Sequence, residues 1–209
     1  MQIATERLRL LNDSNYQTGP IVYWMSRDQR VQDNWALLYA QYLANTYKQP
    51  LFVVFNVVPN FQEATWRQYS FMFDGLREVE TELKTLNISF HLLLGTPEVT
   101  ILQFIKDYQV GTIVSDFSPL HIYKSWKTEI NKHITIPFYE VDTHNIVPCW
   151  HASPKQEFGA YTLRPKLNRL LDKFLTEIPP IQPHNNCVAN NDIDWSKVKA
   201  SLKVNTAIT

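Results

Sequence analysis

Five short apolar runs, separated by segments with helical periodicity, constrain the fold of this chain more than any other feature. The runs lie at residues 21–25, 51–58, 88–94, 110–115 and 136–141. Runs of this length without polar alternation are typical of strands buried on both faces. Helices between successive strands favour parallel pairing with right-handed crossovers. We therefore predict an α/β fold, a Rossmann-like doubly wound five-stranded parallel sheet with a C-terminal helical linker extension.

The first of these units is a strand, a polar loop and an amphipathic helix. The apolar run at residues 21–25 stops at the polar quintet 26–30, and apolar residues then recur with helical spacing. Ser26 is followed three residues later by Gln29, the pattern of a capping box. We therefore predict that the first helix begins next to Ser26.

The later helices also carry sequence signals at their starts. Residues 61–86 show a long apolar stripe that predicts one helix beginning near Phe61. Thr96 before Pro97 predicts an N-cap and first helical residue, and Ser118 before Pro119 predicts the same. Pro137 is expected to make the start of the fifth strand irregular or to place it at an edge.

The strand–helix alternation ends near residue 141. Residues 143–159 lack periodicity and predict an ordered loop or linker, whereas residues 160–175 predict a helix with Pro165 in its first turn and a basic polar face. That face is expected to be solvated or to dock a domain. The predicted division is an N-terminal arm at 1–19, an α/β domain at 20–142, and a linker with further helices at 143–209.

Composition excludes several classes of protein. A content of 44% hydrophobic and 13% aromatic residues supports a packed core and excludes general disorder. The 20 basic and 20 acidic residues cancel, so we expect weak or no DNA binding by this chain alone. No apolar run reaches the length of a membrane span, and we expect a soluble, cytoplasmic protein without membrane contact.

The possible metal and thiol chemistry is limited. Cys149 and Cys187 lack zinc spacing and indicate a reducing compartment, with Cys149 expected to be a small buried residue. Asp142, His144 and His151 also fit no zinc pattern, so no metal site is predicted. Tryptophans on strand and helix faces, among them Trp24 and Trp35, are expected to pack in the core.

Ligands of doubly wound sheets bind at the carboxyl ends of the strands, where the strand order reverses. Three predicted loops lie there, at residues 26–30, 95–97 and 116–119. The first offers free amides and the planar cation of Arg27, and the last offers Asp116 with the ring of Phe117. Helix caps with solvated charges are the alternative interpretation of the first and last loops. Neither a dinucleotide fingerprint nor a Walker A loop is present.

Two long motifs carry a resemblance to a known family. YWMSRDQRVQDNWAL at residues 23–37 resembles the start of the class II cyclobutane pyrimidine dimer photolyases. VDTHNIVP at 141–148, followed by KQE at 155–157 and LRPK at 163–166, resembles the segment that leaves the N-terminal domain of that family. The resemblance covers roughly residues 15–205 and only the N-terminal α/β (antenna) part of the family's architecture.

The resemblance implies a function and a set of ligands. The family repairs pyrimidine dimers with light: a reduced FAD in a C-terminal helical domain donates an electron to the dimer and recovers it. This implies no catalytic residues in the present chain, which is expected to be unable to repair DNA alone and to carry no stoichiometric FAD. A light-harvesting antenna, 8-hydroxy-5-deazaflavin, is the implied ligand. The implied cofactor-binding residues are Met25, Ser26, Arg27, Asp28, Asp116 and Phe117.

The resemblance also implies a partner. The FAD-binding domain would follow in the same chain or come as a separate chain, and without it the chain is expected to self-associate through the linker. Ile146, Val147, Trp150 and Phe158 are the apolar residues expected to be exposed there. The alternative is a free-standing Rossmann-like module that binds a nucleotide or flavin-like ligand, or docks onto a protein.

Overall fold

The computed structural model describes residues 3–186 and 192–204, which form one α/β unit around a six-stranded sheet. The strands lie in the order β1-β6-β5-β2-β3-β4. Their bounds are β1 Leu8–Leu10, β2 Ile21–Met25, β3 Leu51–Val57, β4 Ser89–Leu94, β5 Thr112–Asp116 and β6 Phe138–Val141.

Seven α-helices and one short 3-10 helix, Thr5–Arg7, accompany the sheet in the described residues. The α-helices are α1 Trp35–Tyr47, α2 Trp66–Thr85, α3 Pro97–Tyr108, α4 His121–Lys132, α5 Cys149–Ala152, α6 Ala160–Phe174 and α7 Trp195–Ala200. In the part of the chain that the structure describes, no helix combines the length and apolarity needed to cross a membrane.

The doubly wound fold predicted from the apolar runs is confirmed. Strand β2 lies at the centre and pairs in parallel with both β3 and β5, so that Ile21 is opposite Leu51 on one side and Thr112 on the other. All residues of β2 are buried, which explains the uninterrupted apolar character of this strand; β5 is also buried along its whole length, although it contains Thr112, Ser115 and Asp116. Strand order therefore reverses between β2 and β5, as in Rossmann-like sheets.

The sheet has one strand more than predicted and is mixed rather than purely parallel. Residues Leu8–Leu10, in the predicted arm, pair antiparallel with β6 and form one edge of the sheet. The parallel count of five is correct, since β2 to β6 all run the same way. A strand of three residues that includes an exposed arginine has too little local signal to be recognised without its partner.

Each face of the sheet packs against its own pair of helices. Helices α1 and α2 cover one face with side chains such as Leu37 and Phe73, and α3 and α4 cover the other with Ile101 and Ile130. The predicted packing of Trp24 and Trp35 in the core is confirmed, with 2% and 7% of their surfaces exposed. The two clusters use alternate residues of the same strands, as the pleat requires.

The predicted start of the first helix is wrong. Helix α1 begins at Trp35, and Asn34 is its N-cap, with the side chain accepting from the amide of Leu37 at 2.9 Å. The Ser26–Gln29 pair forms no capping box, since the Gln29 side chain donates to the Ser26 carbonyl at 3.3 Å within a turn. Residues 26–34 are therefore a longer loop than the sequence pattern indicated.

Of the predicted starts of α2, α3 and α4, that of α3 is correct and those of α2 and α4 are wrong. Helix α2 begins at Trp66 rather than near Phe61, because Thr65 and Gln68 form a capping box there. Thr96 and Pro97 occupy the predicted N-cap and first position of α3. The cap predicted at Ser118 is wrong: α4 begins at His121, after the N-cap Leu120.

The segment after β6 contains a short helix within the predicted ordered loop or linker. It includes α5, and α6 spans nearly the predicted range, with Pro165 inside the helix rather than in its first turn. Cys149 is exposed, contrary to the prediction, and Cys187 lies outside the described residues. Of the further helices predicted within 143–209, the last in the described residues is α7, Trp195–Ala200.

Arg7 connects the arm to this segment. Its buried guanidinium donates to the carbonyls of Asp142, Asn145 and Ile146 at 2.7–3.1 Å and to that of Phe174 at 3.4 Å. It lies 5.0 Å from the ring centroid of Trp35 and 5.6 Å from that of Phe174. One side chain thus fixes the start of the linker and the end of α6 against the sheet.

Candidate functional site

The carboxyl ends of β2 and β5 are joined by the side chain of Asp116. One carboxylate oxygen accepts from the Tyr23 hydroxyl at 2.7 Å, and the other accepts from the amides of Ser26 and Arg27 at 2.8 Å and of Asp28 at 3.2 Å. Only 1% of Asp116 is exposed. The loops at residues 26–30 and 116–119, both predicted at the carboxyl ends of strands, meet here, and Asp116 holds them together.

Electrostatics at this junction are set by burial. Burial raises the pKa of Asp116, and the negative charge of Asp28 raises it further, against the lowering effect of hydrogen bonds from Tyr23, Ser26 and Arg27. Burial, followed by the charge of Asp116, raises the pKa of Tyr23 well above its usual value. Tyr23 therefore stays protonated and acts as a donor to Asp116.

Asp28 forms a second buried point of attachment. One of its carboxylate oxygens lies 3.2 Å from Nδ1 of His144 and 3.4 Å from a guanidinium nitrogen of Arg30. Its side chain is 1% exposed, whereas that of His144 is 45% exposed. Asp28 thus connects the loop after β2 to the segment after β6.

Phe117 occupies a different environment from the other predicted site residues. It is 8% exposed, and its ring lies edge-on to Trp150 with the centroids 5.2 Å apart. The structure therefore brings Ser26, Arg27 and Asp28 to Asp116, and directs Phe117 towards the segment that follows β6.

A cavity of about 290 Å³ lies next to this junction, over the carboxyl ends of β2 and β3. Of the predicted site residues, Met25 and Ser26 line it; Arg27, Asp28, Asp116 and Phe117 do not. Much of the remaining lining is aromatic and comes from both faces of the sheet. The aromatic lining residues are Trp24, Phe55, Phe61, Tyr69, Tyr123 and Trp126.

Three of these rings form one wall. The centroid of Phe61 lies 6.4 Å from that of Tyr123 and 6.0 Å from that of Trp126, and the last two are 5.1 Å apart at an interplanar angle of 78°. Burial, followed by the charge of Asp116, raises the pKa of Tyr123, which therefore presents a neutral hydroxyl. Such a wall suits a flat aromatic ligand.

The polar groups of the cavity are few and uncharged. They come from Ser26, Gln29, Asn56 and Gln68, together with the tyrosine and tryptophan tips. Among the lining residues, all of them in the described part of the chain, none is Asp, Glu, Lys, Arg or His. An apolar cavity with a few placed hydrogen-bonding groups is the usual form of a small-molecule site.

Most of the cavity wall was missed from the sequence. Phe61 was assigned to the apolar face at the start of a helix, and Tyr123 and Trp126 lie on a helix whose apolar stripe fits ordinary core packing. Asn56 did carry a signal, since it is the single polar residue in the strand LFVVFNV. Within residues 3–186 and 192–204, no group of three or more metal-ligating side chains is placed to hold a metal ion.

Comparison with known proteins assigns this chain to a family. Residues 21–184 match the family described as DNA photolyase. The chain belongs to the DNA photolyase family. It is 46% identical over 210 residues to the deoxyribodipyrimidine photo-lyase of Potorous tridactylus, an alignment that covers 97% of this chain and 40% of that protein.

More distant members of the photolyase family show the same coverage. Identity is 42% over 190 residues to the deoxyribodipyrimidine photo-lyase of Arabidopsis thaliana, covering 88% of this chain and 38% of that protein. It is 35% over 178 residues to that of Methanothermobacter thermautotrophicus, covering 84% and 40%. The chain thus spans 38–40% of the length of these relatives and corresponds to the α/β domain of a photolyase.

Proposed function

We propose that this chain is the antenna-binding α/β domain of a class II photolyase that repairs cyclobutane pyrimidine dimers. The observation that carries the proposal is the uncharged, aromatic-walled cavity at the carboxyl ends of β2 and β3. The assignment to class II rests on the motifs at residues 23–37 and 141–148.

The cavity lining supports a particular class of ligand. A phosphate or carboxylate tail would need a cation or several free amides, and no charged side chain lines the cavity in the described chain. A flat tricyclic ring without such a tail instead gains from the wall of Phe61, Tyr123 and Trp126. 8-Hydroxy-5-deazaflavin has this form and is the antenna that we propose.

The residues of the chain would hold and orient this ligand. Met25 and Ser26 would contact it directly, whereas Arg27, Asp28 and Asp116 would act by fixing the loop that carries Ser26. When bound, a deazaflavin supplies absorption of light and transfer of the excitation energy. A fixed ring orientation is needed for that transfer, and packed aromatic side chains with few rotatable bonds provide it.

The repair reaction itself is assigned to a further domain. We propose that an FAD-binding helical domain, in the same chain or a separate one, receives the excitation energy and splits the dimer. The zero balance of basic and acidic residues supports a division in which DNA is held by that domain. The present chain then contributes no catalytic residue.

Titration of the purified chain with 8-hydroxy-5-deazaflavin, followed by the fluorescence of the ligand, tests the proposal. We expect a saturable complex and at least tenfold weaker binding by Trp126→Leu, because an aromatic contact is worth about 0.5–1.5 kcal/mol beyond its buried area. Tyr161→Leu is the matched control, since Tyr161 is 82% exposed on α6 and remote from the cavity lining. Absence of binding, or equal weakening by both variants, would refute an antenna site in this cavity.

A further inference from the structure

Asn56 carries a buried acceptor without a hydrogen-bond partner. Its side-chain Oδ1 is shielded from solvent and has no partner, although the residue lines the cavity near the end of β3. The rest of that strand is apolar. A polar side chain that interrupts a buried strand and leaves one group unpaired is disfavoured unless something else binds that group.

The orientation of the Asn56 amide follows from its neighbours. The side-chain Nδ2 donates to the hydroxyl of Thr100, and that hydroxyl donates in turn to the carbonyl of Thr96 at 3.1 Å. Because the Thr100 hydroxyl uses its hydrogen towards Thr96, it acts as an acceptor towards Asn56. This chain of two hydrogen bonds leaves Oδ1, and not the amide nitrogen, as the unpaired group.

We propose that Asn56 determines ligand specificity by accepting a hydrogen bond from an N–H group on the ring edge of the bound chromophore. The inference rests on the proposed function of the cavity and adds the chemical requirement that the site places on its ligand. The imide N–H of a flavin or deazaflavin ring is a donor of this kind. Met72, an unbranched side chain in the same lining, can adjust to a bound ring.

A ligand without such a donor would leave Oδ1 unpaired in the complex. Sites built to form a hydrogen bond discriminate strongly against analogues that lack the matching group, because the buried protein group then loses water without a replacement. Asn56 would therefore select among flat ring systems that fit the aromatic wall equally well. Aromatic packing contributes the affinity, and Asn56 selects ligands that carry an N–H group at the ring edge.

The test is a cycle of two ligands and four proteins. The ligands are 8-hydroxy-5-deazaflavin and its derivative with methyl in place of the imide hydrogen. The proteins are the unsubstituted chain, Asn56→Leu, Asn56→Asp and Gln29→Leu. Leucine is close to asparagine in size and has no acceptor, aspartate keeps an acceptor in the same position, and Gln29 is a second polar lining residue. Far-UV circular dichroism verifies that each variant is folded.

We expect the unsubstituted chain to prefer the N–H ligand by about tenfold or more. Asn56→Leu should lose that preference, while Asn56→Asp and Gln29→Leu should keep it. The same preference in Asn56→Leu and in the unsubstituted chain would refute the role of Asn56 and leave the antenna proposal intact. Failure of the unsubstituted chain to bind the parent ligand would refute both. Loss of the preference by Asn56→Asp, with both ligands still bound, would show that an acceptor at this position does not select the ligand, which also refutes the proposal.

Discussion

Replacement of Asp116 should destabilise the protein more than a typical aspartate substitution. Asp116→Ala removes the acceptor of the Tyr23 hydroxyl and of the amides of Ser26, Arg27 and Asp28. A buried donor left unpaired costs about 1–3 kcal/mol. Because the loop after β2 is at the surface and can partly relax to meet water, we expect a total loss of about 3–5 kcal/mol in the free energy of unfolding.

Asp116→Asn should cost less. The carbonyl oxygen of the amide can still accept from the backbone amides of the loop, while its nitrogen can donate to the Tyr23 hydroxyl. We expect a loss of about 1–3 kcal/mol for this variant. Asp172→Ala is the control, since Asp172 is exposed on α6, and we expect it to change stability by about 0.5 kcal/mol or less.

The cost of Asp116→Asn should also depend on pH. The folded pKa of Asp116 lies above its ordinary value of 3.8, so folding favours the protonated form. Its contribution to stability is therefore present in full below the ordinary pKa and is lost as the pH rises through the raised folded pKa. Asparagine does not titrate, so the deficit of Asp116→Asn relative to the unsubstituted chain should shrink as the pH rises through that window.

Urea denaturation followed by tryptophan fluorescence, repeated between about pH 4 and pH 7.5, measures both effects. A loss below about 1 kcal/mol for Asp116→Ala would show that the loop finds other acceptors and would refute the assignment of Asp116 as its anchor. A deficit of Asp116→Asn that grows with rising pH would refute the argument that burial dominates the titration of Asp116.

The arm, the net charge and the linker each support one further prediction. Arg7→Met should lower the free energy of unfolding by about 2–4 kcal/mol in urea denaturation, against about 0.5 kcal/mol or less for the exposed Arg67→Met, because four carbonyls lose a charged donor. Fluorescence anisotropy should show weak binding to duplex DNA with or without a pyrimidine dimer at physiological salt, and submicromolar affinity with a steep salt dependence would contradict this expectation. Light scattering should show self-association at rising concentration that Phe158→Ser reduces, since Phe158 is 91% exposed; a strict monomer would contradict an unpartnered apolar surface there.

The residues expected to be exposed after β6 differ from one another in the structure. Ile146 and Phe158 are exposed, at 51% and 91%. Val147 is buried, with 6% of its surface exposed, and Trp150 is half-buried because its indole nitrogen donates to the carbonyl of Glu6 at 2.7 Å. The expectation is therefore wrong for Val147, which packs against the domain instead of facing a partner.

Most of the sheet could be predicted because the sequence of each central strand, taken alone, identifies it as a strand. The central strands are short and largely buried, with apolar runs that differ clearly from the amphipathic helices between them. The strand β1 could not be predicted in this way, because three residues with an exposed arginine become a strand only when β6 lies beside them. The cap of α1 was misplaced because Ser26–Gln29 matches the local pattern, whereas its donors and acceptors are used by the turn and by Asp116.

The candidate site could be predicted only in part, for a related reason. Parallel pairing of β2 with β5 follows from the fold, so the meeting of the loops at Ser26 and Asp116 was predictable. Which side chains face a cavity was not, because that depends on packing between elements distant in sequence. Asp116 has the right position for a ligand contact, but its carboxylate accepts from the protein's own amides instead.

The hydrogen bonds of Arg7 to carbonyls between Asp142 and Phe174 also have a consequence for folding. During synthesis, residues 7–10 leave the ribosome long before their partners, since 135 residues separate Arg7 from Asp142. Loop closure over such a distance is slow, and the contacts of Arg7 with the carbonyl of Phe174 require still more of the chain. Until then the outer edge of β6 is an open template for other strands. We therefore expect the arm to dock last, and its pairing with β6 then covers the edge that could otherwise recruit a neighbouring chain.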